Sequence, residues 1–432
     1  MLDKSDILYA SRAQRSGGVL IPISIATLLI SMVINETIGT TQIVSFGFYT
    51  LHTIDISVAL FSFYIVSNLS NIIKFRNIYQ YLIMLFFIIV LINFIRGMLQ
   101  STGPALLQAR FFLPLALVPM AACLVRNPDL TIEKNIRYGV WAGIVLSTLV
   151  LLRSTLKTDL FIITNIDASQ LNDGGRGISA QGAMGILGAF WLTFVRSTKD
   201  KTYLKIWTTR IFLITGLFAS LQGTVILATT VTILLYAVIG NSRTRAIGLL
   251  YLFIICPAIF IINYYVADVY TTGDFMRHRL DNMATRNSVW SSFWDLFSSS
   301  PLYIKLLGWP FGGFPEINVN INGSSVIWIN SLHSMYFSGL KIAGYLSIPT
   351  LFLALFILAV KSIFLYMATA KKSYLICNLI ITSCFLYFGS YEAGSGVALV
   401  IFWAILIQRS IDQRSFVQNG ESDDKRSLDL DR

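Results

Sequence analysis

Charged side chains are scarce in this sequence. They make up 13% of its 432 residues, whereas a soluble globular domain carries about 25%. Hydrophobic residues make up 55% of the chain, the mean hydropathy is +0.67, and long apolar runs recur from end to end. This composition excludes an ordinary soluble domain and predicts an all-α, polytopic bundle of membrane helices.

The sequence also lacks the residue patterns of metal, disulfide and nucleotide chemistry. Its four cysteines lie in apolar segments and none belongs to a CxxC pair. The carboxylates of the predicted outer loops are scattered, without the close spacing that a divalent-cation site requires. No glycine pattern typical of nucleotide binding occurs. We therefore expect no bound metal and no cofactor.

Twelve apolar segments approach the length of about 20 residues that a membrane-spanning helix needs. They lie near residues 18–34, 51–66, 79–95, 106–125, 138–152, 181–195, 206–220, 224–239, 247–266, 336–360, 373–388 and 395–407. If the N-terminus is cytoplasmic, most of the 33 basic residues fall in short segments on the cytoplasmic side, as the positive-inside rule predicts. We therefore expect both termini to be cytoplasmic.

The domain organisation follows from this topology. We expect one transmembrane domain over residues 1–407 and a charged, disordered cytoplasmic tail over residues 408–432. The net charge of +11 is then a signal of topology, and we expect no nucleic-acid partner. Two long loops would lie on the outer side, over about residues 153–180 and 267–334.

The second outer loop contains a stretch with helical periodicity. In residues 287–297 (NSVWSSFWDLF) the apolar residues recur at helical spacing, and Trp290 and Trp294 stand four positions apart. This pattern predicts an amphipathic helix that lies at the membrane interface, with tryptophan at the depth of the lipid headgroups.

Ten basic residues are not explained by topology, since they fall on the outer side or within apolar segments. They are Arg96, Arg110, Arg153, Lys157, Arg176, Arg277, Arg279, Arg286, Lys305 and Lys341. Arg110 interrupts an apolar run, where an arginine is costly and indicates a function or a buried partner. His333, one of only three histidines, lies where the second outer loop becomes an apolar helix.

A histidine and several arginines at a water–lipid boundary suit chemistry on a lipid-linked diphosphate. A histidine titrates near neutral pH and can take a proton from a hydroxyl group. An arginine offers a planar fork of donors to phosphate oxygens and keeps its charge. His333 is therefore a candidate base, and Arg110 is one candidate for binding the diphosphate. Lys341 follows His333 by eight residues, within about a quarter-turn of its helix face, and could tune it or extend toward the interface.

Each candidate also has a simpler structural interpretation. His333 could be a helix-start residue that is hydrogen-bonded to its loop, and Arg286 could anchor the amphipathic helix. Arg176 could bind lipid headgroups or pair with Asp173. Arg110 could pair with a buried acid or with backbone carbonyls.

Three stretches carry a likeness to a known family. Residues 285–314 (TRNSVWSSFWDLFSSSPLYIKLLGWPFGGF) place Arg286 and Trp290 before a turn rich in proline and glycine. Residues 333–344 (HSMYFSGLKIAG) place His333 eleven positions before Gly344, and residues 174–185 (GGRGISAQGAMG) place Arg176 before a segment of small residues. In this order the stretches resemble the superfamily of O-antigen ligases and polymerases. Ser334 stands where that family commonly has Asn.

The resemblance implies a metal-independent glycosyltransferase of the bacterial inner membrane, with its active site on the periplasmic side. The donor would be an undecaprenyl-diphosphate-linked oligosaccharide and the acceptor a sugar hydroxyl. By the same resemblance, His333 would be the base and Arg176 and Arg286 would hold the diphosphate. Trp290 and Gly344 would support the site, and Lys341 is a further candidate for that role from its position after His333 alone.

Three functions remain open at this stage. A polymerase of O-antigen or exopolysaccharide repeat units would extend a second lipid-linked unit, and the divergent Ser334 favours it. A ligase would instead transfer the glycan to the lipid A core. A flippase for lipid-linked oligosaccharides would also need many spans and a basic path, although no internal repeat supports it. Membrane lipid and a chain-length regulator protein are further candidate partners.

Overall fold

The computed structural model describes residues 20–36, 42–46, 49–156, 178–195, 203–220, 222–240, 242–251, 272–321, 324–328, 332, 334–389, 391 and 394–430. Its first helices are α1 (Leu20–Glu36), α2 (Thr53–Ser67), α3 (Ile78–Gln100), α4 (Thr102–Leu124) and α5 (Pro128–Leu156). They are followed by α6 (Ala180–Val195), α7 (Tyr203–Ala219), α8 (Gly223–Ile239), α9 (Ser242–Leu250), α10 (Thr272–Ser299) and α11 (Leu302–Leu307). The last are α12 (Met335–Ala343), α13 (Leu353–Thr369), α14 (Lys372–Phe388) and α15 (Ser395–Leu430).

Two short antiparallel hairpins interrupt the helices. Strands β1 (Gln42–Phe46) and β2 (Tyr49–His52) pair between α1 and α2, and β3 (Ile317–Ile321) and β4 (Ser324–Trp328) pair between α11 and α12. A 3₁₀ turn (Gly344–Leu346) and a π-helical turn (Ile348–Phe352) connect α12 to α13.

The apolar helices give the chain the character of a membrane protein. Five helices in the described part are long and apolar enough to cross a membrane: Ile78–Gln100, Thr102–Leu124, Thr131–Leu152, Ile348–Thr369 and Ser395–Gln413. Five more are apolar but shorter: α1, α2, α6, α8 and α14. Helices occupy most of the predicted segments, although most of residues 247–266 lies outside the described residues. The prediction of one unbroken helix over residues 336–360 is wrong, because the chain turns at Gly344 and the membrane-length helix runs over Ile348–Thr369. The count of about twelve spans stays a prediction.

Helices α4 and α15 form the centre of the bundle. In their membrane-length windows 78% and 83% of the residues are buried, compared with 33% in α3 at the periphery. Helix α15 packs against α4, α5, α6 and α14. The core therefore surrounds α15, the last helix of the chain. Its packing depends on contacts between segments that are distant in the sequence.

Contacts between helix ends define two ends of the bundle. At one end Glu36, the last residue of α1, bonds to Ser179, which precedes α6, and Gly396 of α15 donates its N–H to Gln181 of α6. We call this the motif end. At the opposite end Arg409 of α15 donates to the carbonyl of Ala122, near the end of α4.

Helix α10 differs from its prediction in length and in what it packs against. It spans 28 residues, and its apolar residues Val289, Phe293 and Phe297 are fully buried against Trp309, Val319 and other residues of the same cluster. The apolar face of this helix therefore packs against protein and not against lipid, and the depth of the helix relative to a membrane stays a prediction. Apolar periodicity predicts a buried face, but it does not distinguish lipid from protein as the partner.

The last helix extends beyond residue 407, where the sequence predicts the end of the transmembrane domain. Gln408 and Ile411 of α15 are buried. Lys361 of α13 forms an ion pair with Asp412 at 2.6 Å, and the Gln408 amide donates to the same carboxylate at 2.8 Å. Residues 408–412 therefore pack into the bundle, because Gln408 and Asp412 bond to each other and to side chains of α13.

Candidate functional site

Two of the predicted site residues, His333 and Arg176, lie outside the described residues. Their chain neighbours Leu332, Ser334 and Ile178 are described. The other predicted residues, Arg286, Trp290, Lys341, Gly344 and Arg110, all lie in described segments. The site is therefore built from these residues and from the contacts of the neighbours.

Both chain neighbours of His333 are fixed by side chains of other elements. Trp290 of α10 donates its indole N–H to the carbonyl of Leu332 at 2.7 Å, and its ring stacks on Phe337 of α12 at 5.5 Å between centroids. Ser334, the N-cap of α12, is buried and its hydroxyl donates to the carbonyl of Phe388 at 3.2 Å. The chain on either side of His333 is thus attached to α10 and to α14.

Arg286 lies one helical turn before Trp290 and faces an aromatic ring. Its guanidinium carbon is 5.5 Å from the ring centroid of Tyr391, within the range of a cation–π contact. The Tyr391 hydroxyl donates to the Gln222 side-chain oxygen at 2.9 Å, and the Gln222 amide donates to the carbonyl of Ile178 at 2.6 Å. This series of contacts leads from Arg286 to the residue two positions after Arg176.

The segment that follows Arg176 is anchored a second time, by Glu36. The backbone N–H of Ser179 donates to the Glu36 carboxylate at 2.9 Å, and the Ser179 hydroxyl donates to the same carboxylate. The Ser179 oxygen also accepts the N–H of Gly182 at 3.1 Å, so Ser179 caps the start of α6. Glu36 is buried, and the N-terminal end of α6 favours its negative charge.

These contacts bring the three motif stretches together at the motif end. The Arg176 stretch is held through Ile178 and Ser179, and the stretch that follows His333 is held through Ser334. Helix α10, which carries Arg286 and Trp290, contacts both of them directly or through Tyr391 and Gln222. Residues separated by more than 150 positions in the sequence therefore share one small region.

Gly344 has a structural role that its motif position did not reveal. Its φ is +56°, which is unfavourable for other residues, and a Cβ there would overlap the carbonyl carbon and oxygen of Leu306. Gly308 is similar, because its φ is +83° and a Cβ there would lie 2.7 Å from backbone atoms of Lys341 and Ala343. The two glycines let α11 lie directly against the end of α12.

Lys341 is buried beneath the turn that follows α11. Its ammonium nitrogen is 4.0 Å from the ring centroid of Phe314 and 5.9 Å from that of Phe112. Its carbonyl accepts the backbone N–H of Trp309 at 2.9 Å. Lys341 therefore supports the glycine- and proline-rich turn and joins it to α4 and α12.

Arg110 pairs with a buried acid, which is one of the structural interpretations that the sequence left open. Its Nε and Nη2 donate to the two carboxylate oxygens of Asp55 in α2, at 3.1 and 3.0 Å, and both side chains are largely buried. Asp55 also accepts the backbone N–H of His52 at 2.8 Å, at the start of α2. This pair balances the charge of Arg110 inside the protein, in a different set of contacts from those of Arg286.

Several residues of this region were not singled out from the sequence. Glu36 and Asp55 are acids at the ends of apolar segments, and that unusual position was a usable signal. Gln222 and Tyr391 carry no comparable signal, because amides and tyrosines at helix ends are common. Within the described residues, no three His, Cys, Asp or Glu side chains are grouped so that they could hold a metal ion.

No protein-family model matches this chain, and no curated protein matches it.

Proposed function

We propose that this chain is a metal-independent glycosyltransferase of the bacterial envelope. Its donor is an undecaprenyl-diphosphate-linked glycan and its acceptor is a sugar hydroxyl of a second lipid-linked repeat unit. On this proposal the chain is a polymerase of O-antigen or exopolysaccharide that works on the periplasmic side of the inner membrane. The observation that carries the proposal is the meeting of the three motif stretches at one end of the bundle.

The arrangement supports this chemistry in a specific way. The His333 position follows a carbonyl held by Trp290 and precedes a serine held by α14. Arg286 lies one turn before Trp290, so the helix that holds the Leu332 carbonyl also carries a cation. Positioning a base and a cation on anchored elements is what a transfer reaction requires.

The reaction balances without a metal or a cofactor. His333 takes the proton of the acceptor hydroxyl, and the hydroxyl oxygen forms a bond to the anomeric carbon of the donor. The bond from that carbon to the diphosphate oxygen breaks, and undecaprenyl diphosphate leaves with its electron pair. Arg176 and Arg286 stabilise the negative charge that develops on the leaving group.

Two other functions use the same region differently. A ligase would perform the same transfer onto the lipid A core, so it differs only in the acceptor. A flippase would move the lipid-linked glycan without breaking a bond, and it would not need a base at position 333.

The test is complementation of a strain from which this gene is deleted. The strain receives the wild-type gene, His333→Ala, or the matched control His278→Ala, and each protein is quantified in the membrane. Envelope glycans are separated on a gel and the carrier lipid is extracted. We expect long chains with wild type and with the control. With His333→Ala we expect single repeat units on the carrier or on lipid A and no long chains.

The other outcomes each select a different function. Long chains that accumulate on the carrier while the lipid A core stays bare would indicate a ligase. Normal long chains from a His333→Ala protein at wild-type abundance would remove the catalytic assignment and favour a flippase.

A further inference from the structure

Helix α11 is short, and most of its apolar side chains point away from the protein. Leu302 is 71% exposed, and Tyr303 and Leu306 are exposed as well. Only Ile304 of its apolar residues is fully buried, in the cluster beneath α10. Three large exposed apolar side chains on six residues are unusual for a surface that faces water.

These side chains are held in place by a tightly fixed backbone. The N–H of Gly308 donates to the carbonyl of Ile304 at 2.7 Å, and the N–H of Trp309 donates to the carbonyl of Lys341 at 2.9 Å. Gly344 allows the carbonyls of Lys305 and Leu306 to approach the end of α12. The exposed face of α11 is therefore a fixed surface of the bundle.

The same face continues the outer stripe of α3. The exposed apolar residues of α3 include Tyr81, Leu85, Ile88, Ile92, Ile95 and Leu99, whose alternating spacing of four and three places them on one helix face. Helix α3 is one of the helices suited to cross a membrane, so this stripe is the face that lipid would cover.

Arg96 joins the stripe to α11. It lies on α3 between Ile95 and Leu99, its guanidinium carbon is 5.8 Å from the ring centroid of Tyr303, and its Nη1 is 3.4 Å from the carbonyl of Gly308. Leu99, one turn from Arg96, is 83% exposed. Arg96 therefore links the exposed apolar stripe of α3 to α11 at the motif end.

We propose that α11 rests in the lipid leaflet at the motif end, at the boundary between acyl chains and headgroups. Leu302, Tyr303 and Leu306 contact the lipid, and Arg96 and Lys305 lie at the level of the headgroup phosphates. Exposed apolar residues with basic residues beside them are suited to this depth, because long basic side chains extend toward the polar layer. The membrane contact of the loop region is thus α11, and not the buried apolar face of α10.

The test is spin labelling of the full-length protein in nanodiscs of phosphatidylglycerol and phosphatidylethanolamine. Labels are placed at Leu302→Cys and Leu306→Cys, with Ile88→Cys as a lipid control and Glu316→Cys as a water control. Cys123, Cys377 and Cys384 are buried, and labelled wild-type protein supplies the background to subtract. Collision rates with oxygen and with a water-soluble nickel complex are measured for each label.

We expect both α11 labels to collide more with oxygen than with nickel, at a depth shallower than Ile88. Leu302 and Leu306 are exposed, so neither substitution disturbs packing, and the two positions report independently. A nickel preference like that of Glu316 would show a water-facing helix and overturn the proposal. Exclusion of both reagents would also overturn it, by showing that a second copy or another protein covers α11.

Discussion

The ion pair of Arg110 and Asp55 shows how a charge is kept inside an apolar bundle. Two donors of one guanidinium meet the two oxygens of one carboxylate, and the side chains are only 8% and 14% exposed. Breaking such a pair leaves one buried charge without compensation, whereas replacing both partners by apolar residues is often nearly neutral. The pair can therefore be tested separately from the site.

We predict that Asp55→Leu alone destabilises the protein by ~3–5 kcal/mol, because it leaves Arg110 buried beside an apolar side chain. Adding Arg110→Met should recover most of that loss. Thermal unfolding in detergent measures both effects, and the complementation assay measures transfer. We expect the double variant to keep transfer. A stable double variant without transfer would return Arg110 to the diphosphate site.

The sequence shows that Arg110 is unusual, but it does not show which residue pairs with it. An arginine inside the run LLQARFFLPLALVP predicts a function or a buried partner, and the structure supplies the partner. Asp55 lies 55 positions earlier in the chain, and nothing in either local pattern indicates that α2 and α4 bring the two together. Long-range pairs of this kind depend on the fold as a whole.

Among the helices, α10 matters most for the site, because it supplies both Arg286 and Trp290. The helix could be predicted because its apolar residues recur at helical spacing, and its partner could not, since lipid and protein select the same periodicity. Its two central tryptophans therefore have different environments. Trp290 donates to Leu332 and stacks on Phe337, whereas Trp294 is 45% exposed.

We predict that Trp290→Phe lowers transfer severalfold at unchanged protein abundance. Phenylalanine keeps the ring that stacks on Phe337 but loses the indole N–H, which leaves the buried Leu332 carbonyl without this donor next to His333. Such a loss costs about 1–3 kcal/mol. Trp294→Phe is the matched control and should transfer as wild type does. Equal transfer by both variants would show that Leu332 does not need its anchor.

At the scale of the whole molecule, α15 packs against four other helices of the bundle. The end of the packed part of α15 is therefore the end of the packed bundle. Hydropathy placed that boundary at residue 407, because the next residues are polar. Burial in a membrane bundle does not require apolar residues when polar groups satisfy one another. The Ser362 hydroxyl donates a hydrogen bond to the Gln408 side-chain oxygen at 2.9 Å, and Arg409 donates to the carbonyl of Ala122 at 2.6 Å. These bonds connect the last helix to α13 and α4.

We predict that a chain ending at Gln413 accumulates in the membrane and unfolds at the wild-type temperature, whereas a chain ending at Ile407 does not. The shorter chain loses Asp412, which pairs with Lys361 at 2.6 Å, together with the contacts of Gln408 and Arg409 to α13 and α4. Lys361 now bonds to the side chains of Asn77, at 2.9 Å, and of Asp412. Without Asp412 it would keep only the neutral partner, which leaves its partly buried charge uncompensated. Membrane abundance and thermal unfolding of the two truncated proteins measure the difference. Equal stability would mean that residues 408–413 contribute nothing to the bundle and that its boundary lies where hydropathy placed it.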